Sequence, residues 1–140
     1  MKFTRRDTMA IGGAAALTAV LPSLSSAAIS VNELVMGVTG GADAASKGIS
    51  LTAPEIAENG NTVPISVDAP GAVAITVLAA GNPLPGVATF NFGSGSASQS
   101  ATTRIRLAGT QDVIAVAEMA DGSFASVHQT VKVTIGGCGG

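Results

Sequence analysis

Through most of this chain the apolar residues fall on every second position, and that period constrains the fold more than any other feature. In "VPISVDA", Val63, Ile65, Val67 and Ala69 alternate with Pro64, Ser66 and Asp68. After a Pro70-Gly71 turn, "VAITVLA" repeats the pattern with Val73, Ile75, Val77 and Ala79. Successive side chains of a strand point to opposite faces, so a period of two buries one face and leaves the other to solvent. "TTRIRLA" sets Thr103, Ile105 and Leu107 against Thr102, Arg104 and Arg106, whereas "DVIAVAEM" is apolar on both faces, as a central strand would be. Asp121-Gly122 is a two-residue hairpin signal. It leads into "SFASVHQTVKVTI", whose inner face is expected to carry Ala125, Val127, Val131, Val133 and Ile135. With "ISLTAP" and "GVATFNF" the tally is about seven strands spaced by turn signals. The expected fold class is all-β, an immunoglobulin-like antiparallel β-sandwich. The Cys…Trp…Cys core of antibody domains is missing, since the chain has one cysteine and no tryptophan.

One segment departs from this period. In "SVNELVMGVTGG", Ser30 followed by Glu33 is a capping-box signature, Val31, Leu34, Val35 and Val38 recur at helical spacing, and Gly40-Gly41 ends the run. A short amphipathic helix is expected there, followed by a loop over residues 42–48. "ENGN" and "AGNPLPG" are turn chemistry, with glycine and asparagine to accept positive φ and proline to fix φ. "GSGSASQS" reads as a flexible low-complexity loop.

The first 28 residues stand outside the domain. Lys2, Arg5 and Arg6 precede an uncharged run from Ala10 to Leu21, then Pro22 and small residues ending in Ala27-Ala28. This is the layout of an export signal cleaved after Ala27 or Ala28. The apolar run is about a dozen residues, short of the roughly 20 that span a bilayer, so no membrane anchor is expected once it is removed. Arg5-Arg6 is a twin-arginine mark, although Thr8 stands where such signals commonly carry a large apolar residue; ordinary secretion is the alternative. Both routes lead out of the cytoplasm, and a periplasmic location is expected. Residues 29–135 then form the sandwich domain with its helix, and residues 136–140 a terminal arm.

Loss of the signal leaves Lys47, Arg104, Arg106 and Lys132 against an acidic majority. A nucleic-acid binder needs a basic footprint, so nucleic acid is excluded as a partner. Charged residues are 11% of the chain against a usual figure near 25%. So few charges on a small domain imply that part of its surface is covered by a partner.

The chain closes with "GGCGG", and its only cysteine, Cys138, lies there. Gly136, Gly137, Gly139 and Gly140 have no Cβ, and a glycine run is the most flexible tether a chain can make. At about 3.3–3.6 Å per residue, Cys138 reaches roughly 10 Å beyond Ile135. An activated catalytic thiol needs a histidine, a cation or a helix N-terminus beside it, and the tail supplies none. The residues are compatible with three readings: a carrier whose thiol is presented to other proteins, a disulfide joining two copies, or an incidental thiol.

At this point the sequence resembles the SoxY family, the sulfur-carrier subunits of the bacterial Sox thiosulfate-oxidising system. The likeness is carried by "ENGNTVPISV", "NPLPGVATF", "TRIRLAGTQDVIAVAEMADGSF" and the terminal "GGCGG". It implies that Cys138 is the covalent attachment point for sulfur intermediates, S-thiosulfonate and persulfide, and that no resident cofactor is needed. It implies a heterodimer with SoxZ. It also implies transient visits to a haem enzyme that couples thiosulfate, a sulfate-releasing hydrolase and a sulfane dehydrogenase, with this chain as their protein substrate and not itself an enzyme.

The remaining candidates are weaker. His128 is the only histidine and shares a polar strand face with Ser126 and Thr130, a poor basis for a metal site. Arg104 and Arg106 share a face and could attract anionic sulfur compounds, but a solvated edge is the commoner role. Met36 and Met119 read as packing. No G-x-S-x-G nucleophile motif, C-x-x-C pair or phosphate-binding glycine loop occurs.

Overall fold

The computed structural model describes residues 29–136. The signal segment and Gly137, Cys138, Gly139 and Gly140 lie outside the described residues. One helix, α1 (Val31–Thr39), precedes nine strands: β1 (Ala44–Ala45), β2 (Ser50–Thr52), β3 (Ile56–Asn59), β4 (Val63–Asp68), β5 (Ala72–Ala79), β6 (Gly86–Asn91), β7 (Ser100–Ile105), β8 (Gln111–Met119) and β9 (Phe124–Ile135).

The capping box forms as the sequence implies. Ser30 Oγ accepts from the Glu33 amide at 3.2 Å while Glu33 Oε2 accepts from the Ser30 amide at 2.9 Å. At the other end Gly40 is left-handed, φ 67°, and the Gly41 amide returns to the Met36 carbonyl at 3.0 Å. Val31, Leu34, Val35 and Val38 pack on Leu78, Ile114 and Val116. The packing role expected of the methionines holds for Met119, which packs on the main core. Met36 differs: it is 55% exposed, lining a groove between the helix and β9 and not the core.

The strands form two sheets, one in the order β1-β9-β8-β5-β6 with β3 also on β9, the other β2-β4-β7. The protein is therefore a sandwich, with α1 laid on the outer face of the larger sheet. Between the sheets lie Val63, Ile65 and Val67 of β4, Ile75, Val77 and Ala79 of β5, Val113, Ala115 and Ala117 of β8, and Leu107 just beyond β7. This explains the two-faced apolar pattern of β8. Its odd positions face the small sheet, and Ile114 and Val116 face the helix.

Several expectations change in detail. Nine strands replace seven, because β1 lies within the expected loop over 42–48 and β3 was not foreseen. Both pair with β9, and both pairings are parallel: Ala44 and Ala45 with Phe124 and Ala125, and Ile56, Ala57 and Asn59 with Lys132, Val133 and Ile135. All other pairings are antiparallel. The cause is the second edge of β9. β8 takes one edge, and Phe124 and Ala125 pair with β8 and β1 at once, so the backbone groups of the opposite edge find their partners in β1 and, further along, in β3.

Val73 does not face the core. Ala72 pairs with Met119 and Ala74 with Glu118, so β5 carries one extra residue against β8, a β-bulge that turns Val73 outward to 40% exposure and buries Ala72 instead. Ile135 is 68% exposed, since the core ends before the strand does.

The turns also work differently. Positive φ occurs at Gly40, Gly41, Gly48, Gly71 and Gly122, not in "ENGN" or "AGNPLPG". Asn59 acts through its side chain, whose Oδ1 accepts from the Asn61 amide at 2.9 Å. The β8–β9 connection is longer than a two-residue hairpin. The Gly122 amide bonds the Met119 carbonyl and the Met119 amide bonds the Ser123 carbonyl, with Gly122 alone left-handed.

Candidate functional site

The described chain ends where the glycine arm begins, so the site is built from the strand that carries the arm. Near its end β9 is held on both edges. The Val133 amide donates to Thr110 Oγ1 at 2.9 Å on one side, and Thr134 Oγ1 donates to the Glu58 carbonyl at 3.0 Å on the other. Gly60 ties the last strand residue to the neighbouring loop. Its amide donates to the Ile135 carbonyl at 2.8 Å, and its own carbonyl accepts from the Leu107 amide at 2.7 Å.

That loop, residues 106–110, is fastened in turn by Asn82. The Asn82 amide nitrogen Nδ2 donates to the Arg106 carbonyl at 2.8 Å, and Oδ1 accepts from the Ala108 amide at 2.9 Å and from Gln111 Nε2 at 2.9 Å. Gln111 is buried, 8% exposed, and its other contacts are the Gly81 amide at 2.8 Å and the Gly109 carbonyl at 3.1 Å. Among the described residues no buried side-chain nitrogen or oxygen lacks a partner. The result is a rigid collar, made of the loops 80–85 and 106–110 and the Gly60 turn, around the point where β9 ends. Sequence reasoning took "AGNPLPG" for a plain turn and missed it. The only local signal was an asparagine beside two prolines.

Of Cys138 and the four glycines of the terminal arm, Gly136 alone lies within the described part, and it sits against this collar. Cys138 follows two residues on. His128 is exposed on β9, beside a groove lined by Val35, Met36, Asp43 and Ser126. Eight residues of strand separate it from Gly136, about 26 Å at 3.3 Å each, while the Cys138 Cα can stray only about 7 Å from Gly136. His128 is thus out of range as an activating base. Arg106 and Lys132 are exposed near the collar. Among the described residues no group of three or more His, Cys, Asp and Glu side chains could hold a metal ion, and no helix is long and apolar enough to cross a membrane.

Fold and site define a class: small β-sandwich proteins in which a clamped last strand hands over to a glycine-flanked cysteine at the C-terminus. The family described as "Sulfur oxidation protein SoxY" matches residues 36–138, a span that ends on Cys138. The structure of the sulfur carrier protein SoxY from Chlorobium limicola f thiosulfatophilum is 32% identical, with a TM-score of 0.63 over 76% of this chain and 100% of that one. The chain belongs to the SoxY family. A superoxide reductase (neelaredoxin) from Ignicoccus hospitalis, 16% identical, shares the fold with a TM-score of 0.54 over 61% of this chain and 79% of that one. At that identity the likeness concerns the fold alone. No curated protein sequence matches.

Proposed function

We propose that this chain is a sulfur carrier of thiosulfate oxidation, and that Cys138 holds the sulfur covalently. The observation that supports this best is the family match, which runs through the whole sandwich and ends on that cysteine.

The chemistry fits a thiol on a tether. A thiolate forms and surrenders S–S bonds by exchange. In the loading step the Cys138 thiolate and thiosulfate join through a new S–S bond and together give up two electrons to a haem enzyme. The product is an S-thiosulfonate. Hydrolysis then moves the terminal sulfonate to water, releasing sulfate and a proton and leaving a persulfide for further oxidation. The carrier supplies no general base of its own in this scheme, so activation of the sulfur belongs to the visiting enzymes and the chain is their protein substrate. Slim glycines on each side of Cys138 suit entry into a narrow channel. We also place the protein in the periplasm after twin-arginine export, paired with SoxZ, which covers part of its charge-poor surface.

Intact mass spectrometry under non-reducing conditions tests the reading. Protein isolated from cells oxidising thiosulfate is expected to carry sulfur or thiosulfonate adducts on Cys138, and Cys138→Ser is expected to abolish thiosulfate oxidation. A doubled mass with no adduct, or full oxidation by Cys138→Ser cells, would replace the carrier with a disulfide-linked structural dimer.

A further inference from the structure

Glycine is needed in proteins for two separate reasons, a positive φ or a lack of space, and at Gly136 the reason is space. Its φ is not among the positive ones. A Cβ built there would lie 2.5 Å from the Ala108 carbonyl oxygen and 3.4 Å from its carbon, closer to the oxygen than carbon and oxygen approach without a bond. Nor is that carbonyl free to retreat. Asn82 holds Ala108 by its amide and Arg106 by its carbonyl, and the residue before the glycine is held through the Gly60 amide.

From this we infer that Gly136 is the fixed pivot of the arm, a positioning residue that sets the point and direction from which Cys138 is presented, so that the working tether is counted from Gly137. The inference rests on the carrier reading of Cys138 and deepens it. A tether starting at Gly137 keeps the Cys138 Cα within about 7 Å of the pivot. An enzyme that acts on the sulfur must therefore bring the mouth of its active site against the collar formed by Ala108, Asn82 and Gly60. A fixed root also shrinks the volume the thiol explores, which raises its effective concentration at a docked active site.

The test compares full-length Gly136→Ala and Gly137→Ala, each in its native complex. Three quantities are read: the amide resonances of Ala108 and Gly60, the rate at which a small maleimide labels Cys138, and the rate at which the haem coupling enzyme loads thiosulfate onto it. In Gly136→Ala both resonances are expected to move. Enzymatic loading is expected to slow by about tenfold or more, because a misplacement of roughly 1 Å costs up to about a hundredfold. Maleimide labelling, which needs no docking, is expected to stay unchanged. Gly137→Ala is expected to leave both resonances in place. A glycine inserted after Gly136 adds no Cβ, and is expected to keep the resonances and to disturb loading less than the alanine does. Unmoved resonances or wild-type loading in Gly136→Ala would overturn the pivot, as would an insertion more damaging than the alanine. Wild-type protein that is never loaded sinks the carrier reading instead, and the two failures are told apart because the resonances are read without any enzyme.

Discussion

At the scale of single residues, the side chain that organises the loops around the end of β9 is Asn82. It satisfies the Arg106 carbonyl, the Ala108 amide and buried Gln111 at once. Asn82→Ala leaves the Ala108 amide and Gln111 Nε2 without this acceptor, and an unmade bond to a buried group costs about 1–3 kcal/mol. The expected result is a lower denaturation midpoint at an unchanged denaturant slope, with faster amide exchange at Ala108. An unchanged midpoint would mean the collar does not depend on this hub. The sequence showed the turn here but not the hub, because the partners lie about 25 residues away along the chain and only the assembled sheets bring them within reach.

At the scale of elements, α1 was the most legible part of the fold. Its start, period and stop are all local signals, and each is realised. Glu33 has its carboxyl held below the usual range by the Ser30 amide, then by the Ser30 hydroxyl. A depressed folded-state pKa stabilises above the unfolded value, and the benefit is lost as pH falls through the folded value. Melting temperatures of wild type and Glu33→Gln are therefore expected to differ at neutral pH and to converge as acid protonates Glu33. Asp121, also depressed by its bonds to Ser123, titrates in both proteins and cancels in the comparison. A difference that persists unchanged into acid would contradict the charged capping box. The strands were less legible than the helix at their ends and irregularities. The inner face of β4 is as the alternation implies, whereas β5 departs from it at the bulge and β9 outruns the core at Ile135.

At the scale of the whole molecule, stability is expected to come from the layer between the sheets. Leu107 is 0% exposed there, and Leu107→Ala is expected to cost about 2–5 kcal/mol, a large part of the roughly 5–15 kcal/mol that holds a domain of this size. Ile135→Ala, by contrast, is expected to change stability within about 0.5 kcal/mol. Urea unfolding of both variants checks the pair, and a similar loss in the two would place the core wrongly. On the carrier role proposed above, the same firmly packed layer would serve as a stationary base for the residues that follow Gly136.

Amino-acid order alone determined which residues share a face of β4 and β8, where the helix starts and stops, and that the single thiol sits among glycines at the terminus. Each of these follows from periodicity, capping or chain chemistry within a few residues. Tertiary structure decided the face of Val73, the parallel edge strands β1 and β3, the partners of Asn82 and the contact of Gly136 with Ala108. These depend on which backbone groups and volumes remain unmatched once distant strands have paired, and no local stretch of sequence contains that information.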